Sequence, residues 1–122
     1  MADYKLGEVE SIFADIIWNH EPLSSRHLAE LAEERLSWKR TTTYTILKRL
    51  CDRGLFQNQG GTVTSLVSRQ EFYAMQSEKF VEETFSGSLP AFLAAFGSRK
   101  KLSQSEIDEL QKVIDSMRGV SL

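Results

Sequence analysis

A mainly α chain carrying one small β-hairpin is the architecture this sequence predicts, and three observations predict it. Leu6, Val9, Ile12, Phe13, Ile16 and Ile17 fall at three- and four-residue steps, the period of a helix with one buried face. From Leu55 to Val67 the pattern changes to β-branched and aromatic residues on either side of Gly60-Gly61, a hairpin signal. Beyond Val67 the helical period returns, in segments unusually rich in phenylalanine.

Each element can be justified in turn. The first helix runs from Gly7 to about Asn19 and is ended by "NHEPL", because Pro22 cannot continue a helix. Ser24 then serves as an N-cap, with Leu23 placed to staple against Leu28. Helix two carries Leu28, Leu31, Ala32 and Leu36. Helix three is "WKRTTTYTILKRL", closed by "DRG", where Gly54 supplies a left-handed stop. Three short helices followed by a hairpin is the order of a winged helix-turn-helix domain, expected over residues 1–67. Some 60 residues can bury one modest core.

Residues 68–122 are expected to form a helical dimerisation domain. Gln70 to Phe85 carries Phe72, Tyr73, Met75, Phe80, Val81 and Phe85; "GSLPAFLAAFG" carries Leu89, Phe92, Leu93 and Phe96. The last helix has a full start signal, since Ser103 and Glu106 form a capping box and Leu102 faces Ile107. Its apolar stripe is Ile107, Leu110, Val113 or Ile114, and Met117. A unit this short struggles to bury such faces alone, so a homodimer is expected. The interface set is Phe72, Phe80, Phe85, Leu89, Phe92, Phe96, Ile107, Leu110 and Ile114.

Composition removes several classes of function. No apolar run approaches the ~20 residues of a membrane span, and the start lacks the order of a signal peptide, so a cytoplasmic protein without membrane insertion is expected. The single cysteine, Cys51, excludes an internal disulfide and a thiolate-rich metal site, and reads as a half-buried apolar residue. His20 and His27 do not make a zinc site, and no cofactor or metal is expected. No carboxylate pair, Ser-His-Asp set, Cys-His pair or phosphate-binding glycine loop stands on an expected loop or cleft, which argues against an enzyme.

The formal net charge is −2, yet its distribution is uneven. Met1 to Glu34 holds eight acids and two bases, whereas Lys39 to Arg53 holds five bases and one acid. The cationic stretch coincides with a peculiar helix start. Thr41, Thr42, Thr43, Tyr44 and Thr45 are middling helix formers, each costing about half a kcal/mol relative to alanine. With Thr43, Ile46, Leu47 and Leu50 turned to the core, the opposite face carries Thr41, Thr45 and Lys48, flanked by Thr42, Tyr44 and Arg49. Short hydroxyls at the N-terminal end of the second motif helix suit base edges, and long cations suit phosphates. Thr41, Thr42, Tyr44 and Thr45 are therefore assigned base-proximal positions, and Arg40, Lys48 and Arg49 phosphate or guanine contacts. The wing, Gln57 to Thr64, has no Lys or Arg, so its contacts would come from neutral groups such as Gln57, Asn58, Gln59 or Thr62. Trp38 is expected to anchor the turn into helix three. The alternative is a winged-helix protein-interaction module that binds no DNA.

The residues also carry a family resemblance. "LGEVESIFADIIWNHEPLSSRHLAELAEE", "WKRTTTYTILKRLCDRGL", "LVSRQEFYAMQSEKFVEETFSGSLPAFLAAF" and "KLSQSEIDEL" together resemble the penicillinase-repressor family of bacterial winged-helix regulators, which includes methicillin-resistance and copper-transport repressors. The resemblance implies a homodimeric repressor on a palindromic operator, of a β-lactam-resistance-type or related stress regulon, with Arg40 to Arg49 as the recognition helix. It also implies inactivation by a membrane-bound sensor protease cutting before Phe96. Here Ala95 precedes Phe96, where the cleaved repressors have asparagine.

Overall fold

The computed structural model describes residues 6–120. In chain order the elements are α1 (Glu8–His20), β1 (Leu23–Ser24), α2 (Ser25–Leu36), α3 (Arg40–Asp52), β2 (Phe56–Gln59), β3 (Thr62–Ser65), α4 (Arg69–Phe85), α5 (Leu89–Arg99) and α6 (Gln104–Val120). The chain divides into two compact units, Met1–Lys79 and Phe80–Leu122.

In the first unit, α1 to α3 and a small sheet enclose one core. Phe13, Ile16 and Ile17 of α1 join Leu28 of α2, Leu47 and Leu50 of α3, and Leu55, Phe56 and Val63 around the sheet. Each such fully buried side chain contributes on the order of 1.5–3 kcal/mol. The expected boundaries hold because the local signals are strong. Ser24 Oγ accepts the His27 N–H at 3.0 Å, and Gly54 stands at φ +86° just past α3. The hairpin loop is Gly60-Gly61, with φ +60° and +90°. A Cβ at either would meet nothing, so the demand is on backbone conformation, as a two-residue turn with two positive φ angles requires.

One element goes beyond the expected hairpin. Leu23–Ser24 pairs antiparallel with β3 (Leu23 opposite Val63, Ser24 opposite Thr62), giving the strand order β1-β3-β2. Two residues carry no periodicity, which is why the sequence conceals this strand. Its consequence is a braced wing. Ser25 N–H donates to Gly61 O at 2.8 Å, and the Glu21 carboxylate accepts from both Ser65 N–H and Ser65 Oγ at 2.8 Å.

A second difference concerns Phe72. Expected at the dimer surface, it is 3% exposed and belongs to the core of the first unit. Its ring lies 5.5 Å from that of Trp18, whose indole N–H donates to Val67 O at 3.0 Å. Arg69 completes this clamp. It donates to Asp15 Oδ1 (3.1 Å) and Asn19 Oδ1 (2.6 Å) and lies over the Trp18 ring at 5.7 Å. The first turns of α4 thus pack with the first unit. The division between the two compact units falls inside α4.

In the second unit the Ser103–Glu106 capping box forms in full, with Glu106 N–H to Ser103 Oγ and Ser103 N–H to Glu106 Oε1 both at 3.1 Å. Phe80, Phe85, Phe92 and Phe96 make a run of ring contacts with centroids 5.6–6.3 Å apart. None of the side chains of α5 is fully buried. Phe80 is 50% exposed, and Leu89, Phe96, Ile107, Ile114 and Met117 are exposed as well.

Candidate nucleic-acid interface

The geometry of α3 is set by the turn before it. Ser37 ends α2 in the left-handed region at φ +57°, a conformation costing a non-glycine residue about 1 kcal/mol or more. Trp38 offsets that cost by packing on Phe13, with ring centroids 5.0 Å apart. Lys39 is the N-cap of α3 but offers no side-chain cap. The first N–H groups of the helix therefore lack a side-chain acceptor, and Arg40 follows at the first helical position.

Along α3 the two faces separate as the spacing requires. Thr43, Leu47 and Leu50 are buried and Ile46 packs partly against the same core. Arg40, Thr41, Thr42, Tyr44, Thr45, Lys48 and Arg49 are exposed. Within the exposed set the hydroxyls differ. Thr45 Oγ1 donates to Thr41 O at 2.8 Å, so Thr45 presents outward its methyl group and acceptor lone pairs, not a free donor. The Thr41 and Thr42 hydroxyls make no such bond among the described residues and remain the hydroxyl donors of the face.

Two of the three cations on this face, Lys48 and Arg49, already hold a carboxylate. Lys48 Nζ lies 3.1 Å from Asp52 Oδ2, and Arg49 Nη1 lies 3.2 Å from Glu10 Oε2 on α1. The Lys48–Asp52 pair sits at i,i+4 and was readable in the sequence. Arg49 and Glu10 are 39 positions apart, and no local pattern announces them.

The wing is less open than its composition suggests. Gln57 Nε2 donates to Thr64 Oγ1 at 3.0 Å across the β2–β3 pair, which engages it at the wing base. Asn58, Gln59 and Thr62 are exposed. Cys51, in the last turn of α3, is half-buried, and burial pushes its thiol pKa up, with Asp52 adding to the rise. It stays protonated at neutral pH and is a poor nucleophile. Among the described residues, no cluster of His, Cys, Asp and Glu could hold a metal ion, and no helix is long and apolar enough to cross a membrane.

A helix-turn-helix whose second helix turns threonines and cations outward, followed by a braced hairpin, defines a winged-helix protein. The sequence model of the penicillinase repressor family matches residues 6–116, nearly the whole chain. The methicillin resistance regulatory protein MecI of Staphylococcus aureus strain Mu50 is 25% identical over 116 residues, covering 92% of this chain and 94% of its own length. That of Mammaliicoccus sciuri is 24% identical with the same coverage. The penicillinase repressor of Bacillus licheniformis is 23% identical over 119 residues, covering 94% and 93%. The chain belongs to the penicillinase repressor family, whose members are transcriptional repressors and not enzymes.

Proposed function

We propose that this chain is a cytoplasmic, homodimeric repressor that occupies a palindromic operator by laying α3 in the major groove, in a β-lactam-resistance-type or related stress regulon. One observation carries the reading. Thr43, Leu47 and Leu50 fix one side of α3 in the core and leave Thr41, Thr42, Tyr44 and Thr45 exposed beside Arg40, Lys48 and Arg49, which supports base-proximal roles for the first four and phosphate or guanine contacts for the cations. The family's repressor activity and the exposed α3 face point the same way.

Apolar surface that one copy leaves uncovered supports the dimer. Phe92, Leu93, Phe96, Leu102, Leu110 and Val113 line an apolar groove of about 400 Å³ between α5 and α6. Phe80, Phe85, Leu89, Ile107 and Ile114 extend that surface, and a second copy would cover it. Inactivation by a sensor protease would act on the same unit. The Ala95–Phe96 bond lies within α5, so cleavage there requires the helix to unwind locally first.

Binding of duplex DNA across a salt series tests the function. A sequence enriched from random duplexes should be palindromic, and its affinity should fall steeply with salt. A protein that shows no salt-dependent DNA binding would be a docking module instead.

A further inference from the structure

We infer that Glu10 and Asp52 act as internal competitors of DNA phosphate, holding Arg49 and Lys48 in the free protein and so setting the strength and salt sensitivity of DNA binding. The inference rests on the proposed reading of α3 as the DNA-binding helix.

The two contacts differ in kind. Lys48 and Asp52 are both well exposed, and Asp52 lies seven residues beyond Thr45, two turns along the same face of α3. A carboxylate therefore stands on the surface that would meet the duplex. Glu10 is fixed more firmly. Its side chain is only 19% exposed, Oε2 accepts from Arg49, and Oε1 accepts the Gly7 N–H at 3.3 Å. Held by the start of its own helix, Glu10 cannot follow Arg49 onto a phosphate.

Exchange has an electrostatic signature. A cation that turns to a phosphate releases a counterion from DNA, which gives the linear fall of log affinity with log salt. A carboxylate left behind at the same moment regains a cation from solution and offsets that release. Each competing acid thus flattens the salt dependence by up to about one phosphate equivalent. It also lowers affinity by what the exposed ion pair was worth, about two- to fivefold.

The experiment uses Glu10→Gln and Asp52→Asn in the full chain, with random duplex DNA over a salt series. Gln keeps an oxygen for the Gly7 N–H and Asn keeps one for Lys48, so the thermal midpoint should stay within a few degrees. Each variant should bind random duplex about two- to fivefold more tightly at low salt, with a slope steeper by about one. The Glu10→Gln gain should vanish in an Arg49→Gln background, and the Asp52→Asn gain in a Lys48→Gln background. Unchanged affinity and slope overturn the inference. Weaker binding overturns it too, since Glu10 would then be orienting Arg49 toward DNA. A gain that survives in the Arg49→Gln background reduces the effect to bulk charge and also overturns it. Wild-type protein that fails to bind duplex DNA at low salt instead refutes the DNA-binding reading itself.

Discussion

The two units of this chain bury their apolar residues in opposite ways. The first closes a core around Phe13, Ile17, Leu28, Leu50, Phe56 and Val63, all at or near zero exposure. The second gathers four phenylalanines into contact yet leaves Phe80, Leu89, Phe96 and Ile107 in the open. Similar amphipathic patterns wrote both. The difference lies in closure, because three helices with a braced sheet surround a volume and two helices with the end of a third do not. A unit complete in itself can present its polar face to a ligand, whereas one left open keeps apolar surface that, in the proposed dimer, a second copy would cover.

The sharpest way to break this contrast is to damage each side alike. Phe13→Ala should cost about 3–5 kcal/mol of stability, since the ring is fully buried and packs on Trp38. Thr43→Lys should unfold the first unit altogether by forcing an unpaired charge into it. Phe96→Ala in the second unit should leave folded-state spectra intact and act on self-association instead. Sedimentation across the micromolar range would read the change, and equal loss of folded signal for Phe13→Ala and Phe96→Ala would erase the distinction between the units.

Next in size are the outward threonines. Thr41→Ala and Thr45→Ala should keep or slightly raise thermal stability while lowering operator affinity by about 1–3 kcal/mol. Thr41 should show the larger loss, because its hydroxyl is not engaged on the helix as that of Thr45 is. Wild-type operator affinity in both variants would show that α3 does not read bases through them.

Thr43 offers a smaller test in the reverse direction. Its Oγ1 is buried with no hydrogen-bond partner among the described residues, so isosteric Thr43→Val should stabilise the protein by about 1 kcal/mol. Chemical denaturation at unchanged m-value would register it, and a loss of stability would reveal a partner for that hydroxyl. At the wing, Gln59→Lys should steepen the salt slope of DNA binding by about one and leave stability unchanged. Smallest of all, Cys51 should alkylate more slowly than a free thiol at pH 7–8, because its raised pKa keeps the thiolate scarce. Labelling at the free-thiol rate would contradict that burial.

Much of this was legible in the residues. Ser24, Gly54, Gly60-Gly61 and the Ser103–Glu106 pair are local chemical statements, and each fixes the boundary it implies. The inward placement of Thr43 and outward placement of Thr41, Thr45 and Lys48 came from a single angle of 100° per residue. Phe72 failed for a reason of the same physics. Periodicity finds the apolar stripe of α4 but not which body each part of the stripe will meet. The Glu10–Arg49 pair was hidden because it joins two helices, and only the fold brings them together.

The clamp of Arg69, Trp18 and Phe72 has a consequence for where this chain can be cut. A chain ending at Val67 keeps the whole winged-helix pattern yet removes Phe72 from the core and the guanidinium from Trp18, Asp15 and Asn19. It should be poorly folded, whereas a chain extended through Lys79 should recover the native unfolding transition. The same clamp should divide amide hydrogen exchange along one continuous helix. Near Phe72, α4 should exchange only when the first unit opens as a whole, and near Phe85 by openings of its own.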